Sequence, residues 1–256
     1  MDLGLDGAVA LVTGGMRGVG RGISTVLVAA GATVVACGRR APTEPITGVE
    51  FAPCDVRDAD HVQELIAGLA GRHGRLDVVV NNAGGSPYAL AAEAGPRFHA
   101  KIIELNLLAP LIVAQAANAV MQQQPDGGAI VMVSSVSGHR PSPGTAAYGA
   151  AKAGLDSLVG SLAIEWAPKV RVNSIVAGPV RTEQSHRHYG DADGVAAVGR
   201  TIPIGRLAEP EDIGRCVALL ASPLASYVTG ATLTAHGGGE LPAFLAAAKG
   251  ADDGAG

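Results

Sequence analysis

The sequence predicts an α/β protein: a doubly wound parallel sheet covered by helices on both faces, three-layer α/β/α, in a single domain. Three observations carry this. Short apolar runs without strict polar alternation, as strands buried on both faces require, are separated by helix-length stretches. A glycine-rich turn, Thr13-Gly14-Gly15-Met16-Arg17-Gly18-Val19-Gly20, joins the first run to the first helix. The composition, 48% apolar and 16% charged with 36 glycines in 256 residues, suits closely packed βα units around a large core.

The elements follow in order. Residues 8–13 (AVALVT) form the first strand, and a helix over 19–30 follows the glycines. Residues 32–37 (ATVVAC) are β-branched and apolar, and Gly38-Arg39-Arg40 ends them. A third strand fits Val49–Ala52, then Asp55 and a helix over about 59–73. Leu76–Val80 is a buried strand closed by Asn81-Asn82-Ala83-Gly84. A long helix covers 97–122, and Ala129–Ser134 is the next strand. A helix over 145–167, a strand at Val170–Val176, a helix over 210–221 and a strand near 229–235 complete the pattern. The segment 183–205 breaks it, being polar and irregular with Gly190, Gly194, Gly199 and Pro203; this reads as a lid. Residues 1–241 thus form one domain, and 242–256, rich in Ala, Gly and Asp, read as a loose tail.

Charge and composition exclude several classes. A net charge of −4 argues against nucleic acid or an anionic membrane as partner. The start Met1-Asp2-Leu3-Gly4 has no basic or apolar leader, and no stretch approaches the roughly 20 apolar residues of a membrane span. Cys37, Cys54 and Cys216 are odd in number and far apart, against a disulfide framework or a CxxC metal site. The histidines His186 and His188 lack metal-binding partners nearby, so no metal is expected. The expectation is a soluble, cytoplasmic protein.

The glycine turn lets backbone N–H groups approach a pyrophosphate at a helix N-terminus. After the second strand an acidic residue would bind a ribose diol, but here Arg39 and Arg40 stand, with Arg17 in the glycine loop. Converging guanidiniums suit a 2′-phosphate, so NADP(H) is favoured, with NAD(H) also possible. Asp55 is placed to meet the adenine, with Val56 packing beside it. Further along, Tyr148 and Lys152 lie four apart on one helix face, where an ammonium favours the ionised phenol. Ser135, thirteen residues before Tyr148, can steady a carbonyl oxygen while Tyr148 delivers its proton.

Together these segments resemble the short-chain dehydrogenase/reductase family, over about residues 5–240. The family's TGxxxGxG matches Thr13 to Gly20, its NNAG stretch matches Asn81 to Gly84, and its Asn, Ser, Tyr and Lys map onto Asn106, Ser135, Tyr148 and Lys152. The resemblance implies a Rossmann fold and a secondary alcohol or ketone as small-molecule substrate. Tyr148 is then the general acid/base and Lys152 lowers its pKa while hydrogen-bonding the nicotinamide ribose. Ser135 polarises the carbonyl, with Ser134 as its rival, and Asn106 holds a water that relays protons to Lys152. The cofactor contacts include Thr13, Gly14, Gly18, Val19, Gly20, Asn82, Ala83 and Gly84, and Gly178, Val180 and Thr182 near the nicotinamide. Two departures stand out: Ala177 replaces the usual proline before Gly178, and His236-Gly237-Gly238 replaces Asp-Gly-Gly.

The same resemblance builds the substrate pocket from Ser86, Pro87, Tyr88 and Leu90, from His139 and Arg140, and from His186, His188 and Tyr189. It suits an apolar or alicyclic, even steroid-like, substrate. Two alternatives stay open: a 3-oxoacyl thioester (carrier-protein or CoA) reductase, for which Arg97, His99 and Lys101 form a small basic patch, and a non-catalytic dinucleotide-sensing or scaffold protein. A homotetramer, or a dimer, built on the helices 97–122 and 145–167 is also implied.

Overall fold

The structure, a computed structural model, describes residues 2–248, without the side chains of residues 187, 188, 246 and 247. Seven parallel strands form one sheet in the order β3-β2-β1-β4-β5-β6-β7. They are β1 Val9–Thr13, β2 Thr33–Gly38, β3 Val49–Pro53, β4 Val78–Asn81, β5 Gly128–Ser135, β6 Val170–Ala177 and β7 Thr232–Ala235. The helices are α1 Gly18–Ala29, α2 Ala59–His73, α3 Pro96–Ile103, α4 Ala109–Met121, α5 Ala146–Trp166, α6 His186–Tyr189, α7 Ala192–Arg200, α8 Pro210–Ala221 and α9 Ala243–Ala247. The doubly wound three-layer sheet is as the sequence predicts.

Strand side chains alternate between two cores, which is why the strands read as unbroken apolar runs. Leu11, Val35, Val79, Ile130 and Met132 pack with α2, α4 and α5. Ala10, Val12, Val34, Val80 and Val131 pack on the other face with α1 and α8. There α1 and α8 approach closely: a side chain on Gly22 would collide with Pro210. Local signals set the boundaries of α2, whose Asp58 caps the N–H groups of Asp60 and His61 and whose end is Gly74 at φ +72°.

Five local expectations change. Strand β4 starts at Val78, because the N–H and C=O of Leu76 are taken by the Gln124 side chain at 2.7 and 3.0 Å. The 97–122 helix is divided by a π-helical turn, Glu104–Leu108, centred on Asn106. From Pro96 to Met121 it is continuous, long and apolar enough to cross a bilayer, although no such stretch was expected; it is 39% buried over its most apolar window, with α4 packed on α2 and the sheet. The segment 183–205 carries α6 and α7 instead of irregular chain, separated by Gly190 at φ +80°, with Asp191 capping Gly194. Of the expected tail, α9 is helical and residues 249–256 lie outside the described residues.

Candidate active site

Parallel strands deliver their C-terminal ends to one edge, and the strand order reverses between β1 and β4. The loops after β1 and β4 are tied there. The buried Thr13 hydroxyl accepts the N–H of Asn82 at 3.0 Å and of Ala83 at 2.9 Å, and donates to the Val80 carbonyl. Asn82 Nδ2 donates to the Thr13 and Gly14 carbonyls. A side chain at Gly20 would overlap the Gly14 carbonyl and lie 2.5 Å from Asn82 Nδ2, so the turn closes only on glycine.

The N-terminus of α1 has no side-chain cap and no acid in its first turn. One of its amides is met from far along the chain: Gly18 N–H donates to Glu183 Oε2 at 3.2 Å. Thr182 lies against Gly18 as well. Uncapped amides that take a carboxylate, beside a loop with no room for side chains, fit a dinucleotide pyrophosphate. Gly178 and Val180 lead into this corner from β6, Gly178 N–H bonding the Ala235 carbonyl and Val180 pairing with Ala208. Val19 packs on the core below.

Arg39 and Arg40 follow β2 directly, and they and Arg17 are exposed without an ion pair among the described residues. Asp55 follows β3 and is clamped by Arg57, with Nε to Oδ1 at 2.9 Å and a second contact to Oδ2. Arg57 above all, with Arg39 contributing, holds the Asp55 carboxyl down at about 2. Val56 is buried beside it. The sequence reading overlooked Arg57, though it stands two residues after Asp55.

At the other end, α5 and β5 bring Ser135, Tyr148 and Lys152 together. Lys152 is 3% exposed; its Nζ donates to the Val133 carbonyl at 2.7 Å and lies 5.6 Å from the centre of the Tyr148 ring. Burial lowers its pKa to about 8, with Asp156 opposing. Burial raises the pKa of Tyr148, and the Ser135 hydroxyl draws it back. The expected lowering by Lys152 is not among the causes: desolvation of the buried phenol dominates, and the Lys152 ammonium donates to the Val133 carbonyl. Ser135 also accepts the Ser137 N–H at 3.2 Å. Its rival Ser134 is buried and donates to Asp156 at 2.7 Å, leaving Ser135 beside Tyr148.

Asn106 is fully buried in the π turn. Its Oδ1 accepts Gly85 N–H at 2.8 Å and its Nδ2 donates to the carbonyls of Gly85 and Ile102. A side chain at Gly84 would lie between Asn106 Oδ1 and Lys152 Nζ, which places all three in one corner.

The expected pocket residues divide. Tyr88 stacks over Gly144 and is 69% exposed. Arg140 pairs with Glu240 at 2.7 Å, and Tyr189 is near both, its pKa raised chiefly by burial. Ser86 bonds the Pro87 carbonyl, and His186 Nδ1 stands 3.0 Å from the Glu183 carbonyl oxygen. His139 turns its Nε2 to Asp156 at 2.9 Å. The side chain of His188 lies outside the described residues. Glu240 and Asp156 were not singled out from sequence; for Asp156 the spacing of four from Lys152 was the available signal. Among the described residues no group of three or more His, Cys, Asp or Glu is arranged to hold a metal.

Comparison with known proteins gives the same direction. A family model described as Enoyl-(Acyl carrier protein) reductase matches residues 14–240. A short-chain type dehydrogenase/reductase of Sinorhizobium fredii is 38% identical over 246 residues, covering 91% of this chain and 43% of that protein, so the chain spans less than half of that relative. L-rhamnose 1-dehydrogenase (NAD(P)(+)) of Azotobacter vinelandii is 34% identical, covering 89% of this chain and 94% of that one. The structure of Thermoplasma acidophilum aldohexose dehydrogenase superposes with a TM-score of 0.86 at 28% identity, over 91% of this chain and 94% of the other.

Proposed function

This chain belongs to the short-chain dehydrogenase/reductase family, oxidoreductases that use NAD(P) cofactors, and we propose that it interconverts a secondary alcohol and a ketone with NADP(H). The observation that carries the reading is the meeting of Ser135, Tyr148 and a buried Lys152 at the strand edge that also holds the glycine loop. A nicotinamide bound at this edge would supply or accept the hydride. Ser135 hydrogen-bonds the carbonyl oxygen, and Tyr148 gives it a proton. Lys152, while charged, stabilises the phenolate left behind. Asn106 fixes the π turn and the Gly84–Gly85 backbone beside Lys152, which supports a role in proton relay.

Thr13, Gly14, Gly18, Val19, Gly20, Asn82, Ala83 and Gly84 would hold the pyrophosphate and ribose, with Gly178, Val180 and Thr182 toward the nicotinamide. Arg17, Arg39 and Arg40 would take the 2′-phosphate, and Asp55 with Val56 would meet the adenine. The substrate class is a cyclic or otherwise apolar-bodied ketone or alcohol resting on Tyr88 and Leu90, under a lid at 183–205 closed by Tyr189 and the Arg140–Glu240 pair. Leu108 and Ile164, exposed on the two long helices, support association into a dimer or tetramer.

A second reading, a 3-oxoacyl thioester reductase, draws on the carrier-protein description of the family model and on exposed Arg97 and Lys101. One experiment separates them. NADPH and NADH are titrated by fluorescence, and turnover is screened on cyclic ketones, aldoses and 3-oxoacyl thioesters. The proposal expects tighter NADPH than NADH and turnover of a ketone; binding of neither dinucleotide overturns it.

A further inference from the structure

Asp156 has no part in the proton transfer proposed above, yet it stands on α5 one turn beyond Lys152. Its side chain is 11% exposed. Ser134, at the end of β5, donates to its Oδ2 at 2.7 Å and also reaches the Lys152 carbonyl at 3.3 Å. His139, from the turn after β5, brings Nε2 to 2.9 Å from the same oxygen. The other oxygen, Oδ1, is buried without a hydrogen-bond partner among the described residues.

That bare oxygen is informative. A neutral amide in place of the carboxylate would still accept from Ser134 and meet His139, so the clamp alone does not need a charge. Burying a charge with an unfilled acceptor is costly unless an opposite charge is near. Besides His139, which is charged only when protonated, Lys152 is the cationic side chain one turn away on the same face of α5. It faces the Val133 carbonyl, the Tyr148 ring and the Asn106–Gly84 corner, none of which carries a charge. Among the described residues, Asp156 is the group whose charge acts on it.

We infer that Asp156 is a positioning residue whose carboxylate keeps the Lys152 side chain an ammonium while tying the end of β5, with Ser135, to α5. Its catalytic consequence rests on the reading of Lys152 as a proton-transfer group; the influence of the Asp156 charge on Lys152 does not. His139 and Ser134 are the other groups facing Asp156, and neither can replace its charge.

The test is an NMR titration of protein labelled at lysine Cε, which has four lysines, with the Lys152 signal assigned by its loss in Lys152→Met. Lys152 is expected to titrate near 8. In Asp156→Asn the midpoint falls by about one pH unit, whereas Asp156→Glu stays close to the wild type. If Asp156→Asn does not fold, Asp156→Ser gives the same comparison with a smaller neutral side chain. A purely structural clamp lowers the unfolding temperature and leaves the midpoint in place, which overturns the inference. The alkaline limb of ketone reduction should move with the midpoint. A midpoint that moves without the limb keeps the charge coupling of Asp156 to Lys152 and removes Lys152 from proton transfer.

Discussion

Replacing Lys152 by methionine should make the protein more stable near neutral pH while abolishing its activity. The residue is 3% exposed, and burial brings its pKa from the ordinary 10.5 to about 8. At 1.36 kcal/mol per tenfold change in proton affinity, the folded state bears about 3 kcal/mol for keeping this ammonium at pH 7. The sign follows from proton linkage. Between about pH 8 and 10.5 the unfolded chain binds a proton that the native protein has lost, so wild-type stability rises with pH across that window. Methionine fills similar space without a charge but leaves the Val133 carbonyl without its 2.7 Å donor, at a cost of about 1 kcal/mol. The net gain at pH 7 is therefore about 2 kcal/mol, and it shrinks, then reverses, toward pH 10. Urea unfolding of both proteins at pH 7, 8, 9 and 10 measures it, and the difference between the two curves cancels groups that titrate alike in both. Parallel curves would refute the assignment of a strained, buried ammonium to Lys152.

Other outcomes follow from the cofactor end. Gly20→Ala should leave a folded protein that no longer binds dinucleotide, because the new methyl group meets the Gly14 carbonyl and Asn82 Nδ2; calorimetric titration with NADPH checks it. Arg39→Ala should weaken NADPH by about tenfold or more and NADH by less than about threefold, and equal losses would count against a phosphate role. Arg57→Ala should destabilise the protein by about 1 kcal/mol at pH 7, discounted because Asp55 is about a third exposed. The Asp55 pKa is depressed, so this contribution is present above its ordinary range near 4 and lost as pH falls toward 2; denaturation at pH 7 and pH 2.5 should show the wild-type advantage narrowing.

Much of this was legible in the sequence because burial on both faces writes strands as unbroken apolar runs, and helix α2 was bounded by its own signals, Asp58 and Gly74. The glycine loop and the Tyr148–Lys152 pair were legible for the same reason: spacing along one element fixes which residues share a face. What depends on contacts between distant segments was not. Nothing local announces that Gln124 takes the hydrogen bonds of Leu76, or that Glu183 reaches the Gly18 amide across 165 residues. At Tyr148 spacing gives the charged neighbour but not the burial, and desolvation of the phenol decides the net direction there. The 183–205 segment looked irregular because its glycines hid two short helices, α6 and α7.

The central claim is that Tyr148 transfers the proton in a dinucleotide-linked carbonyl reduction, and Tyr148→Phe tests it most directly. On a ketone the wild type turns over with NADPH, the variant is predicted to bind NADPH within about threefold of the wild type and to lose about 100-fold or more in turnover. A variant that binds NADPH normally and keeps full turnover would contradict the account.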